Sequence, residues 1–579
     1  MKSSRFRRCT SYLKLLTALS MIALTGSVGL FAQTYTWQGG ARGGGGTDQT
    51  NLFKSGNWNP NGFIAKNADL IFTNANASSS SILDVSASVT INSITFGEGA
   101  LSFTLTNSTS LLTLNGGTNI TDNSTNLQTL AVRIALAGDS VWNTGKGAQL
   151  LVSGNISQVG STPSGINKIG SGTLTLSGVN TYTGGTTLSG GVMILSGAGA
   201  TLGSSNSSVT LLGGILDLGA NSRTNNTFAI TSGVLTNGTM NALTYALNGG
   251  AVQANLGGGT INVGGNVTLA GTAIATTVNI NSGTMSLSGA NRLSSNATVA
   301  LSTVATLNLG GHSLTLAGLT GSGSVTNSAG TLTLNAGSGT VTYAGSITGS
   351  GNLLKSGAFA QMLSGTSAFS GTTMVSGGSL SLGTSGRLTQ TASVTVTNGT
   401  TLLLGSSQAN SIKSNATLNL GGGQLSMGGA GIGNHRAASQ TFASLTLTAN
   451  SSIDFAALSG TSSLYFSNVS GLSTYTLSIF NWNGTNFYGQ SSATGGANQF
   501  TRLYASTDGS FASALENIRF YSGSTTSSTF MGEGSFSGPS SGGFTQIVPV
   551  PEPGVIISAI MLLGFLVHCQ IRRDFQKSY

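Results

Sequence analysis

An all-β fold, a parallel β-solenoid with β-rich caps, is what this 579-residue chain predicts. Three observations carry that expectation. Short apolar alternations recur along it: LTL at 174–176, LDL at 216–218, LTL at 314–316 and 332–334, VTV at 394–396 and LTL at 445–447. Period two puts Leu and Val on one face and Thr, Ser and Asn on the other, the pattern of a half-buried strand. Glycine, 87 residues of the chain against a usual share of roughly 7%, falls between these runs in Gly-Gly, Ser-Gly and Asn-Gly pairs. Such pairs supply the positive φ of sharp turns. Finally, the chain repeats itself. LNLGGHSLTL at 307–316 returns in form as LNLGGGQLSM at 418–427, and a longer unit also occurs twice. In that unit Lys168, Gly170, Ser177, Gly178, Gly184, Gly190 and Gly191 correspond to Lys355, Gly357, Ser364, Gly365, Gly371, Gly377 and Gly378, and Tyr182 to Phe369. Five- to seven-residue strands joined by glycine turns, with helix signals nearly absent, fit coils that each bury one face of the next.

The elements follow in chain order. Lys2, Arg5, Arg7, Arg8 and Lys14 precede the apolar run at 15–32, which predicts a signal peptide over 1–32 cut between Ala32 and Gln33, with a cut after Gly29 as the alternative. Residues 33–110 read as an N-terminal capping module holding Trp37 and Trp58, and 111–450 as the solenoid, with coils of about 20 to 25 residues. Over 451–531 the aromatic residues Phe455, Tyr465, Phe466, Tyr475, Phe480, Trp482, Phe487 and Tyr488 cluster in a second β-rich module. Caps of this kind close the exposed strand edges of a solenoid; carbohydrate stacking is the alternative role for Trp482 and its neighbours. The Gly/Ser-rich stretch 532–548 reads as a flexible spacer. At 549–579, Pro551, Glu552 and Pro553 precede a fourteen-residue apolar run, 554–567, and then Arg572 and Arg573. As a helix the run reaches roughly 21 Å, short for about 30 Å of hydrocarbon, and the arginines would sit on the cytoplasmic side.

Two family resemblances rest on these residues. Pro-Glu-Pro, apolar helix and basic finish together resemble the PEP-CTERM sorting signal of Gram-negative bacteria. That likeness implies recognition of Pro551, Glu552 and Pro553 by the membrane transpeptidase exosortase, removal of the helix, and delivery to the cell surface or extracellular matrix. The unit KIGSGTLTLSGVNTYTGGTTLSGGVMIL at 168–195 resembles the autotransporter-associated β-strand repeat. Its copy at 355–382 is degenerate, with Gln361 where the first has Leu174, so strand register is less firmly specified there. The second likeness implies a right-handed β-helix, as in passenger domains of secreted bacterial proteins.

Composition excludes several functions. Without residues 1–32 and those after Pro553 the formal charge of +9 falls to +2, from 14 basic and 12 acidic residues. No basic patch with interleaved aromatic residues remains to hold nucleic acid. The two cysteines, Cys9 and Cys569, both lie in those segments, leaving neither a disulfide nor a thiolate metal site. The remaining carboxylates are scattered, and 218–453 contains none. Glycoside hydrolysis needs two carboxylates about 5 to 9.5 Å apart. The pairs separated by about one coil are Asp69 with Asp84, Glu98 with Asp122 and Asp122 with Asp139. His312 falls at a turn position held by Gly423 in the matching repeat, and His435 in a loop beside Asn434 and Arg436. No cofactor or metal site is expected.

The reading that results is a non-catalytic, exported structural or adhesion protein. Its partners would be signal peptidase and exosortase during export, then extracellular polysaccharide or neighbouring surface proteins along Thr, Ser and Asn ladders. A polysaccharide-active β-helix enzyme and an autotransporter passenger are the alternatives.

Overall fold

Period-two alternation becomes stacked rungs in the computed structural model, which describes residues 32–38, 51–53, 55–73, 81–405, 407–428, 439–456, 461–484, 501–506, 514–536, 540–541 and 544–550. Strands of two to twelve residues account for nearly all of it, and the only helical elements described are single 3-10 turns at Ser55–Asn57 and Leu515–Asn517. The all-β, parallel solenoid expected from the sequence is what forms. The chain divides into two units, Met1–Gly219 and Ala220–Tyr579.

In the first unit the parallel ladder begins early, where Thr34–Trp37 pairs with Ala68–Phe72 and Ala68–Phe72 with Val89–Phe96. Trp58–Asn59 adds antiparallel to Thr34–Trp37. Trp37, Trp58, Phe72, Phe96 and Phe103 fill the interior at this end. The indoles of Trp37 and Trp58 meet edge to face at 5.1 Å, and Phe72 and Phe96 stack at 5.2 Å. Further along, aliphatic residues take over in registered columns: Leu150, Leu174, Met193 and Leu216 lie over one another, all pointing inward. Each rung thus buries the apolar face of the next, so stability is shared between neighbours rather than held in one core.

The second unit is built the same way and opens on a smaller coil. Phe228, Tyr245, Ile261 and Val278 form one inward column, and the step between rungs is 17 residues where Asn279 bonds to Asn262. The sequence suggests coils of about 20 to 25 residues; that spacing holds from Gln149 to Thr173, from Thr277 to Thr298 and from Ser324 to Ser346, but three very short sides suffice in this stretch. One turn runs through Thr227–Ile230, Val234–Thr236 and Thr239–Asn241, and the last belongs to a separate three-stranded ladder with Ser222–Thr224 and Asn255–Leu256. The repeated LNLGG segments both turn as expected. Ala305–Asn308 leads through Gly310 and Gly311, at φ 61° and 81°, into Leu314–Leu316.

Parallel pairing in this unit continues through Gln440–Ala449, Ser462–Ser470 and Thr501–Ser506 on one side, and through Ser451–Asp454, Leu477–Phe480 and Ile518–Ser524 on another. Antiparallel strands then cover both. Ser527–Ser535 pairs with Ile518–Ser524, and Phe544–Val550 with Thr501–Ser506 and with Ser527–Ser535. Much of the stretch read from composition as a flexible spacer, 532–548, therefore lies in paired strands. The physical reason is the apolar pair Ile547 and Val548, which is buried together with Gln546 and anchors the closing strand.

Candidate functional site

Three strands of the first unit, Ser140–Thr144, Ile166–Ile169 and Thr186–Leu188, run side by side with Val141, Asn167 and Thr187 in register on the outer face. Their inward neighbours Ser140, Trp142, Ile166, Lys168, Thr186 and Leu188 are buried. Glycines edge this outer face where the chain turns: a Cβ on Gly165 would come within 2.7 Å of the Gly185 carbonyl oxygen, and one on Gly184 within 2.4 Å of the Ser164 carbonyl carbon. Side chains are thus kept out, and a groove of about 280 Å³ remains, lined by Asp139, Val141, Asn167, Gly184 and Thr187 among others. The exposed Asp139 carboxylate accepts the Gly165 N–H at 2.8 Å, and Asn167 accepts from the Ser189 hydroxyl at 2.8 Å. An amide, a hydroxyl and one carboxylate lie on the glycine-edged floor of this groove.

Two-carboxylate chemistry has one half of its machinery in this groove, because Asp139 is the single acid lining it. The carboxylates that sequence spacing paired differ in exposure and in partners. Asp122 is buried inside the solenoid, whereas Asp139 and Glu98 are exposed at turns. Asp69 accepts from the Ser93 hydroxyl at 2.6 Å, and Asp84 from the Asn107 amide at 2.8 Å, each held by a side chain of the next rung. Asp122 is the perturbed member. Burial raises its carboxyl to about 7, partly offset by the Ser124 N–H that it accepts. Its other oxygen and the hydroxyl of Thr144, its register partner on the next rung, are both buried without a hydrogen bond.

The second unit presents ladders. Thr227, Thr244, Thr260, Thr277 and Thr298 form one outward column. On another side Thr284, Thr306, Ser324 and Ser346 stand beside Ser286, Asn308, Thr326 and Thr348, repeating about every 4.8 Å. These columns contain no charge. Neighbouring members bond to one another, as the hydroxyls of Ser324 and Ser346 do at 3.3 Å.

Residues singled out in the sequence fall as follows. The Gln33 carbonyl accepts the Asp69 N–H at 3.0 Å and its amide oxygen the Tyr35 hydroxyl at 2.9 Å, so Gln33, next to Ala32, is tied into the ladder. Pro551, Glu552, Pro553, Arg572, Arg573 and His435 lie outside the described residues. His312 sits at a corner after Gly310 and Gly311. Trp482 is buried against Phe455 and Phe520, so it is core rather than a sugar platform. Phe480 and Tyr521 face outward and stack on each other at 5.0 Å, which covers one face of each ring. Among the described residues, no helix is long and apolar enough to cross a membrane, and no three of His, Cys, Asp and Glu gather as metal ligands.

Sequence reading missed the two repeat lysines. Lys168 lies inward between Trp142 and Leu188, and Lys355 inward between Leu334 and Val375; both are fully buried. Burial lowers each to about 8. Strand parity carried the signal, since Ile166 and Lys168 share a face. Gln361, the other departure, keeps its register between Val341 and Leu380. Its amide nitrogen donates to the carbonyls of Leu319, Val341 and Met362, while its amide oxygen has no partner.

Compared with known proteins, the chain is similar to the passenger-associated transport repeat in two places, residues 166–195 and 353–382. No curated protein and no solved structure matches it. The two matched segments coincide with the internal repeat found in the sequence, and they point to a passenger-like β-helix of an exported, cell-surface type.

Proposed function

We propose that the chain is an exported, non-catalytic structural or adhesion protein, a passenger-like β-solenoid that holds neutral polysaccharide or neighbouring surface chains along its outer faces. The observation that carries the proposal is the setting of two passenger-type repeats within parallel rungs whose outward columns are uncharged Thr, Ser and Asn. A single hydroxyl contributes little against water, but columns repeated rung after rung bind by avidity. The groove at Asp139, Asn167 and Thr187 adds a local concave contact.

The export route belongs to the same proposal. Signal peptidase would cut between Ala32 and Gln33, and exosortase would process the tail at Pro551, Glu552 and Pro553, with Arg572 and Arg573 as the cytoplasmic stop of a transient anchor. Terminal peptide mapping of protein recovered from the producer's surface tests that route, and peptides that retain the tail refute it.

Function is tested by co-sedimentation of the purified protein with the producer's extracellular polysaccharide, alongside protease shaving of intact cells. Shaving should release peptides of this chain. Replacing Thr306, Ser324 and Thr326 by Val, Ala and Val should lower polysaccharide retention several-fold. Protein that is protected from shaving, or that fails to sediment with the matrix, would overturn the reading.

A further inference from the structure

The buried lysines make the same contacts in both matched repeats. Lys168 donates to the carbonyl two residues on, Gly170 at 2.9 Å, and to the carbonyl twenty-two residues on, Gly190 at 3.0 Å. Lys355 donates to Gly357 and, at 2.9 Å, to Gly377, with the same two offsets. The first carbonyl belongs to the lysine's own rung and the second to the next. Each amine has a further contact of its own: Lys168 reaches the Ile169 carbonyl at 2.9 Å, and Lys355 lies 4.0 Å from the centroid of the Phe359 ring.

Among the described residues, none of the four glycine carbonyls accepts a backbone N–H. Carbonyls at inward turns need a donor, and a lysine amine brings up to three. The space is shaped for it as well: a Cβ on Gly191 would lie 2.7 Å from the Lys168 nitrogen. Desolvation alone accounts for the lowered basicity of both amines, with no carboxylate contributing. Neither is therefore half of an ion pair.

Register is what such a contact can fix. A strand slipped by one residue turns its inward face outward, and strands of Thr, Ser and Gly oppose a slip only weakly because few of their contacts are distinctive. A lysine stem held in an aliphatic column, with its amine bound to the turns of two successive rungs, permits a single pairing. We infer that the lysine of each passenger-type repeat is a registration staple, its amine joining the glycine turns of adjacent rungs and locking the solenoid in register at that point. At pH above 8 the neutral amine still has two N–H groups for the two shared carbonyls, so the staple survives deprotonation.

The test uses the full chain with Lys168→Met and Lys355→Met, which keep the stem and delete the donors. Amide hydrogen exchange is followed by mass spectrometry. In Lys168→Met, protection should fall about tenfold or more over 170–173 and 190–193, with 357–360 and 377–380 unchanged; Lys355→Met should give the mirror result. Unchanged protection at a variant's own turns, or equal loss at both repeats, would overturn the staple. Should either variant fail to fold, the wild-type chain is treated with an amine-modifying reagent under native conditions. Lys168 and Lys355 should stay unmodified while the exposed Lys66 and Lys146 react, and modification at equal rates would overturn the proposal.

Discussion

Asp122 makes the first unit sensitive to pH in a direction opposite to most carboxylates. Its folded carboxyl is raised from 3.8 to about 7, so the folded chain holds a proton that the unfolded chain releases. The stability this contributes is fully present below about pH 4 and is lost as pH rises through about 7, with no further change above. The interval spans about three pH units. At about 1.4 kcal/mol each, it bounds the loss at about 4 kcal/mol; local opening that admits water relaxes the desolvation, leaving about 2 kcal/mol as the expected change. Asp122→Asn removes the ionisation and keeps an oxygen for the Ser124 N–H. It also places an amide donor in reach of the next rung, where the Thr144 hydroxyl lacks a partner. Because a solenoid opens rung by rung, the assay is amide exchange of peptides covering 120–124 and 142–145 between pH 4 and 9, corrected for intrinsic exchange. Wild-type protection should fall between pH 4 and 7, and Asp122→Asn should be flat and better protected at pH 8. Equal wild-type protection at pH 4 and 8, or an Asn variant weaker at pH 8, would refute the assignment.

Other substitutions probe the repeats. The lysines impose an opposite slope: each is lowered from 10.5 to about 8, so the stability they contribute is present above about 10.5 and lost as pH falls through about 8. Turn protection near 190 and 377 should therefore rise between pH 8 and 10, a rise that the Met variants abolish. Gly191→Ala forces a Cβ to 2.4 Å from the Gly172 oxygen at a φ of 71°. It should cost about 2 to 3 kcal/mol, whereas Gly197→Ala, at a φ of 92° with open space around it, should cost about 1 kcal/mol of backbone strain alone; chemical denaturation of the two variants compares them. Gln361→Leu restores the leucine of the first repeat and removes the orphaned amide oxygen, so the melting temperature should hold or rise, by about 1 kcal/mol in stability at most.

The outline of the fold was legible because parity and turn chemistry act locally. LTL at 314–316 already tells which side chains are buried, and Gly310-Gly311 tells where the chain bends. The contraction to a 17-residue coil near Asn262 was not legible, because the length of a rung depends on how many short sides close the turn, and no single strand carries that information. The spacer misreading has a related cause. GEGSFSGPSSGGFTQ is poor in apolar residues, and its pairing depends on Ile547 and Val548, which come after most of it.

The candidate site shows the same division. Outward Thr, Ser and Asn positions follow from parity, but which of them stand in columns depends on pairing between residues a whole rung apart, as Thr244 with Thr260. Asp122 and the repeat lysines were hidden for a different reason: charged side chains are almost never fully buried without a charged partner, so residue type argued for solvent and overrode parity. In INKI, at 166–169, Ile166 and Lys168 alternate with Asn167 as two core residues would. The same lysine returns in the second copy of the repeat, in NLLK at 352–355, in step with Leu353. A charged residue that keeps apolar parity in both copies of a repeat is bound to something inside, and in this solenoid the unsatisfied carbonyls of its glycine turns are what it finds.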